Sequence, residues 1–138
     1  MGPIRDAGEK NDGTRRILVV EDEPVLRAAI AHRLQWEGYA VIEAVDAVGA
    51  TTAAREHRPD LVILDYLMPG GDGSEVFRRL QRILCSMPPV IFMSGLALDR
   101  VLAETLQLKD VRFLMKPFDV TKLVDCVHRA LDGSSAAV

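Results

Sequence analysis

The chain has 138 residues, 49% of them hydrophobic and 27% charged, with a net charge of −3. That length suits one domain with a sizeable core, and so small and evenly spread a charge leaves no basic stripe for nucleic acid or for a membrane surface. No apolar run approaches the ~20 residues of a membrane span and no signal-like start appears, so the expected location is cytoplasmic.

Residues 1–15 are rich in Gly, Asp, Lys and Asn without an apolar period, which predicts a flexible tail or linker. Arg16–Val20 reads as a first strand, an aliphatic run that ends on Glu21-Asp22-Glu23. Pro24 opens a first helix over 24–37, with Leu26, Ala29, Ile30 and Leu34 on one face and Gly38 as its stop. Ala40–Ala44 forms a short second strand, and Asp46 is placed to cap an alanine-rich second helix that Pro59 terminates.

Leu61-Val62-Ile63-Leu64 is an unbroken aliphatic run, the pattern of a strand buried on both faces of a parallel sheet. It ends abruptly on Asp65, and after Tyr66-Leu67-Met68 the turn Pro69-Gly70-Gly71-Asp72-Gly73 follows. A third helix is predicted over 74–84, turning Val76, Phe77, Leu80 and Leu84 to the sheet, before Pro88-Pro89 breaks the chain. The fourth strand, 90–93, ends on Ser94-Gly95, and a fourth helix is expected over 99–108, with Val101, Leu102, Thr105 and Leu106 on its sheet or interface side. Val111–Met115 is the fifth strand, ending on Lys116-Pro117. A fifth helix over 119–131 spaces Val120, Leu123, Val124, Val127 and Leu131 helically, and residues 133–138 read as a frayed tail.

Strands alternating with helices imply a parallel sheet covered on both faces by right-handed crossovers, and a single domain over 16–132. All strand ends in such a sheet point one way, so Glu21, Asp22, Asp65, Ser94 and Lys116 can line one crevice. Taken singly, the acidic pair could cap a helix, Ser94 could shape a turn and Lys116 could be a solvated amine; their ordered conjunction is what points to a site. Cys85 and Cys126 fall in helical patterns without metal spacing and are expected as buried free thiols. His32, His57 and His128 sit on predicted helices or at a helix end and are expected as solvated side chains.

Val19-Val20-Glu21-Asp22-Glu23-Pro24, Leu64-Asp65-Tyr66-Leu67-Met68-Pro69 with Asp72-Gly73, Met93-Ser94-Gly95 and Lys116-Pro117-Phe118 together give the chain a pattern that resembles the receiver domain of two-component response regulators, over about residues 16–131. The resemblance implies a doubly wound, flavodoxin-like α/β fold with strand order 2-1-3-4-5. It implies that Asp65 is the nucleophile that takes a phosphoryl group from a phosphohistidine on a histidine kinase or histidine phosphotransfer protein. A carboxylate attacking an anionic phosphoryl group meets strong repulsion, so a divalent cation, Mg2+ or Mn2+, is implied. Asp22, Asp65 and the main-chain carbonyl of Leu67 would hold it, with Glu21 acting through a water.

The same resemblance gives Lys116 and Ser94 the phosphoryl oxygens to hold, makes the Lys116-Pro117 bond cis, and gives Phe113 the place of an aromatic switch. The face of the fourth helix, fifth strand and fifth helix would then carry the signal to a downstream protein, with a phosphorylation-dependent homodimer as a further implied partner. It describes a signalling receiver and not an enzyme, either stand-alone or part of a larger regulator or hybrid histidine kinase, with no direct contact to nucleic acid or membrane. An aspartyl phosphohydrolase is the rival; it would carry a second acid two residues after the nucleophile, where this chain has Leu67. A phosphorylation-free pseudo-receiver ranks third, since every chemical position is filled. Leu67 and Leu96 are apolar where some members of the family carry polar residues that position an attacking water, which predicts a slowly hydrolysed acyl phosphate. Glu21 replaces an aspartate with a side chain one methylene longer.

Overall fold

The computed structural model describes residues 13–67, 73–95 and 110–133. Five parallel strands, β1 (Arg16–Val20), β2 (Ala40–Ala44), β3 (Leu61–Asp65), β4 (Val90–Ser94) and β5 (Val111–Met115), form one sheet in the order β2-β1-β3-β4-β5. The three central strands β1, β3 and β4 are buried at every residue, which is why their sequences run aliphatic without alternation. The edge strand β5 is only partly buried, and its sequence admits Arg112 and an exposed Met115.

The pleat sends alternate side chains to opposite faces and so builds two cores. Leu18, Val20, Val62, Leu64 and Phe92 face α2 (Ala47–His57) and α3 (Gly73–Ile83). Ile17, Val19, Ile63, Ile91 and Met93 face α1 (Pro24–Trp36) and the C-terminal helix (Val120–Asp132). Phe92 centres the first core: the rings of Tyr66 and Phe77 lie 5.8 Å from it and that of Phe113 6.1 Å.

Three helices start where the sequence supplies a cap. Glu23 accepts from the Leu26 N–H at 2.9 Å with Pro24 at the first turn, Asp46 accepts from Gly49 at 2.8 Å, and Asp119 from Lys122 at 2.9 Å. Gly38, at φ 103°, and Gly133, at φ 71°, follow the first and last helices in conformations that a side chain would strain.

Some expectations need correction. On α1, Ala29 is exposed and Ala31 is buried in its place, because the buried stripe follows Ile30 and Leu34. The third helix starts at Gly73 and ends at Ile83, leaving Leu84 half-buried just past it. Cys85 therefore lies beyond the helix and is exposed, while Cys126 is half-buried, so neither is the fully buried thiol expected. His32 and His128 are exposed as expected, but His57 is half-buried: its carbonyl accepts from the Arg16 guanidinium, tying the end of α2 to the start of β1. The helix expected over 99–108, with Val101, Leu102, Thr105 and Leu106, lies outside the described residues, as do 1–12 and 134–138.

Gly73 allows α3 to begin directly against the strand that carries Asp65. A Cβ there would stand 2.6 Å from the Asp65 carbonyl oxygen and 2.9 Å from the Tyr66 Cα, both backbone atoms with little freedom to retreat. Gly73→Ala is therefore expected to destabilise the fold by about 1–3 kcal/mol, as overpacking does. Urea denaturation followed by circular dichroism measures it, and an unchanged midpoint would contradict the close packing of Gly73 on the Asp65 backbone.

Candidate functional site

Parallel pairing brings the carboxyl ends of β1, β3, β4 and β5 to one edge of the sheet, in register with Val20 opposite Leu64, Asp65 opposite Met93 and Ser94 opposite Met115. Asp65 is the last residue of β3 and is buried. Glu21 follows β1 directly, and its side chain is only 1% exposed. Its backbone N–H donates to the Ala44 carbonyl at 3.1 Å, extending the β1–β2 pairing by one residue and turning the carboxylate inward. Asp22 is the least buried of the three acids, and one carboxylate oxygen from each of Glu21, Asp22 and Asp65 lies within 4.8 Å of the others.

Lys116 enters from β5. Its N–H donates to the Ser94 carbonyl at 2.7 Å, and the Lys116-Pro117 bond is cis. Its ammonium lies 2.9 Å from Glu21 Oε1 and 3.4 Å from Asp65 Oδ1. Ser94 is buried at the end of β4, between the strands of Asp65 and Lys116. Leu67 is exposed two residues after Asp65, so its side chain stands in solvent at the mouth. Beside the mouth, Leu26, Gly95, Lys116, Pro117 and Phe118 line an open, mainly apolar groove of about 450 Å³.

The electrostatics are lopsided. Three carboxylates face one ammonium, and burial is the first cause that drives the Asp65 carboxyl up from 3.8 to about 6. The Glu21 charge raises it further, and Lys116 opposes both. For Lys116, burial pulls downward, but the hydrogen bond it donates to Glu21 and the charges of Asp65 and Glu21 prevail and hold its ammonium above the ordinary lysine value. An all-oxygen donor set with surplus negative charge fits a hard divalent cation such as Mg2+ or Mn2+.

Glu21, Asp22, Asp65, Ser94 and Lys116 thus meet at one edge as expected, and Leu67 borders it. Phe113 stands apart on β5, half-buried against Phe92, on the core side of the same strand ends. Leu96 lies outside the described residues. Two contacts escaped the sequence reading. Glu21, expected to act through a water, touches Lys116 directly. Arg27, on the first turn of α1, donates to the Glu21 carbonyl at 2.9 Å and pairs with Glu43 of β2 at 3.1 Å, clamping the acidic loop. Its signal was a lone basic residue placed just after an acidic run.

Residues 17–128 match a family described as the response regulator receiver domain. The chain is 31% identical over 133 residues to the transcriptional regulatory protein PdtaR of Mycobacterium tuberculosis, covering 94% of this chain and 62% of that protein. It is 31% identical over 116 residues to sporulation initiation phosphotransferase F of Bacillus subtilis, covering 84% and 93%. Among solved structures, the receiver domain of the hybrid histidine kinase CckA aligns with a TM-score of 0.71 and 36% identity, over 84% of this chain and 98% of that one. The chain thus spans less than two thirds of the first of these relatives and nearly all of the other two.

A raised carboxyl pKa means that the fold favours neutral Asp65. The stability this group contributes is full below about pH 4 and is lost as the pH rises through about 6, so at neutral pH its charge burdens the fold. In cation-free buffer Asp65→Asn is expected to be more stable than the wild type by about 1–2 kcal/mol at pH 7, discounted for an open pocket, and the gap should close toward pH 4. Thermal melts across this range measure it, and a pH-independent difference would contradict it.

Proposed function

The chain belongs to the response regulator receiver domain family, and from that premise we propose that it is the phospho-accepting module of a two-component relay, with Asp65 as the acceptor. The observation that carries the reading is the convergence, from separate strands, of Asp65, two further carboxylates and the Lys116 ammonium in one cluster. The name of the sporulation relative, a phosphotransferase, supports it.

A carboxylate oxygen of Asp65 attacks the phosphorus of a phosphohistidine; the O–P bond forms, the P–N bond breaks, and its electron pair returns to the donor imidazole. Asp22, Asp65 and the Leu67 carbonyl would hold a bound Mg2+ or Mn2+ ion, with Glu21 near it, and the ion would neutralise charge shared between nucleophile and phosphoryl oxygens. The Lys116 ammonium, already within 3.4 Å of Asp65, turns to a phosphoryl oxygen and stabilises the negative charge. The Ser94 hydroxyl donates to another, and burial of both acids keeps bulk water from competing.

Phosphorylation adds about −1.5 to −2 charges at the end of β3. Drawing Ser94 toward them vacates space beside Phe113, whose ring already borders the Tyr66–Phe92–Phe77 cluster. An inward swing of Phe113 reshapes the face formed with β5 and the C-terminal helix, the surface for a downstream protein or for a phosphorylated second copy. The donor is a histidine kinase or histidine phosphotransfer protein, the module spans residues 16–132, and it works in the cytoplasm as a signalling receiver, not a turnover enzyme. The stand-alone, larger-regulator and hybrid-kinase settings all accommodate such a module.

Incubation with acetyl phosphate and Mg2+ is expected to add one phosphoryl mass to the wild type, and none to Asp65→Asn or in the presence of EDTA. Persistence of the label in Asp65→Asn would refute the assignment. Once formed, the acyl phosphate should decay slowly, because Leu67 offers no polar side-chain atom to orient water. Leu67→Asn combined with Leu96→Glu is expected to speed decay on the order of tenfold, below the usual range of proton-transfer assistance because an oriented water is only part of it. An unchanged half-life would dispose of that account.

A further inference from the structure

The structure assigns a second binding site at the amino-terminal edge of the sheet, where the guanidinium of Arg16 and the adjoining His57 receive one small anion of the carboxylate class. This site shares no residue with the acidic edge and does not depend on the phosphoryl chemistry proposed there.

Strand β1 begins on a buried cation and is followed by a buried anion. Arg16 is only 3% exposed, at the end of the strand farthest from Glu21. Its backbone is satisfied: the N–H donates to Asp60 Oδ2 at 2.8 Å, and the carbonyl accepts from the Asp60 N–H at 2.8 Å. Its side chain is satisfied only in part. Nη1 donates to the His57 carbonyl at the end of α2, while Nε and Nη2 are buried without a hydrogen-bond partner. His57 Nδ1, on the residue that Nη1 holds, is buried and unpartnered as well.

The two idle arginine donors are not an arbitrary pair. Nε–H and one Nη2–H leave the same edge of the guanidinium in parallel, the fork that grips both oxygens of a carboxylate. That edge is the one turned away from Nη1, so the bond to the His57 carbonyl leaves it available. His57 Nδ1 adds a third donor when it carries the ring proton. A buried guanidinium without a counter-charge is costly, and a water molecule would occupy the donors without supplying that charge. A small carboxylate does both.

The surrounding charge favours the same sign of ligand. Arg55 and His57 stand in the last turn of α2, and Arg58 follows as its C-cap. Glu56 and Asp60 are the acids nearby in sequence, and Asp60 already holds the Arg16 N–H. Size is limited too. The donors have no open surface, so a ligand of a few atoms is selected, and it enters where the turn after α2 yields. Arg58 closes that turn in the left-handed region, at φ 47°, a conformation that a side chain strains.

Sodium formate is the probe, replacing chloride at constant ionic strength so that the response reports the two-oxygen grip and not charge alone. Raising formate from about 1 to about 100 mM should raise the melting temperature of the full chain by about 5 °C, as linkage requires of a ligand that binds the folded state. The Arg16 Nε–H resonance, assigned by its loss in Arg16→Lys, should shift saturably over the same range. Arg16→Lys keeps the positive charge and lacks the fork, so its melting temperature should not respond to formate.

A wild-type melting temperature and Nε–H resonance that both ignore formate would overturn the proposal. Equal responses in the wild type and Arg16→Lys would overturn it as well, since the fork would then be irrelevant. Should Arg16→Lys not fold, His57→Ala carries the comparison: it leaves the fork in place, removes the third donor, and should weaken the apparent formate affinity about tenfold, the loss expected of one charge-assisted hydrogen bond. An unchanged affinity in His57→Ala would remove His57 from the site and the proposal with it.

Discussion

The lysine that bridges Glu21 and Asp65 is the contact on which this edge of the molecule depends. Two of three clustered acids are buried, and burial of like charges costs several kcal/mol unless a counter-charge is held against them. Lys116 supplies one positive charge and leaves a surplus of negative charge. That surplus suits a divalent cation, and it is also a strain that the rest of the fold must absorb.

The sheet absorbs it. β1, β3 and β4 are buried throughout and packed by two cores of aliphatic and aromatic side chains, so the positions of Glu21, Asp65 and Ser94 are set by strands with no freedom to drift. The clamp of Arg27 on the Glu21 carbonyl holds the chain after β1, and Gly73 starts α3 close against the Asp65 backbone. Stability is concentrated where the hydrophobic pattern is unbroken, and the electrostatic burden sits at its margin, a common division between scaffold and site.

Much of this was legible in the sequence, for physical reasons. Strands buried on both faces must be aliphatic throughout, so β1, β3 and β4 announced themselves and each ended visibly on a polar residue. The cap Asp46 and the stop at Gly38 were equally plain, because few residue types suit those backbone conformations. Helix faces were less secure. On α1 the alanines carry little hydrophobic signal, and Ala29 and Ala31 exchanged places between water and core. Cys85 misled because the helical period of α3 continues in sequence past the point where its hydrogen bonding ends. His57 misled because it closes α2 beside the start of β1, where its carbonyl takes the Arg16 guanidinium, a contact between distant positions that no local pattern encodes.

The contact between Glu21 and Lys116 was beyond sequence reading for a related reason. Spacing locates a strand end, but it does not say which of two nearby acids an incoming ammonium will prefer. That choice is made by side-chain length and by a third partner. The Glu23 N–H orients the Glu21 carboxylate, and the extra methylene carries it across the crevice to 2.9 Å from the lysine. Asp65, shorter and at the very end of its strand, is left with the weaker share at 3.4 Å. One ammonium thus serves two carboxylates from different strands and lies closer to the longer one, and a glutamate followed by a cap-forming residue is one way a chain can reach from the end of β1 to a lysine beyond β5.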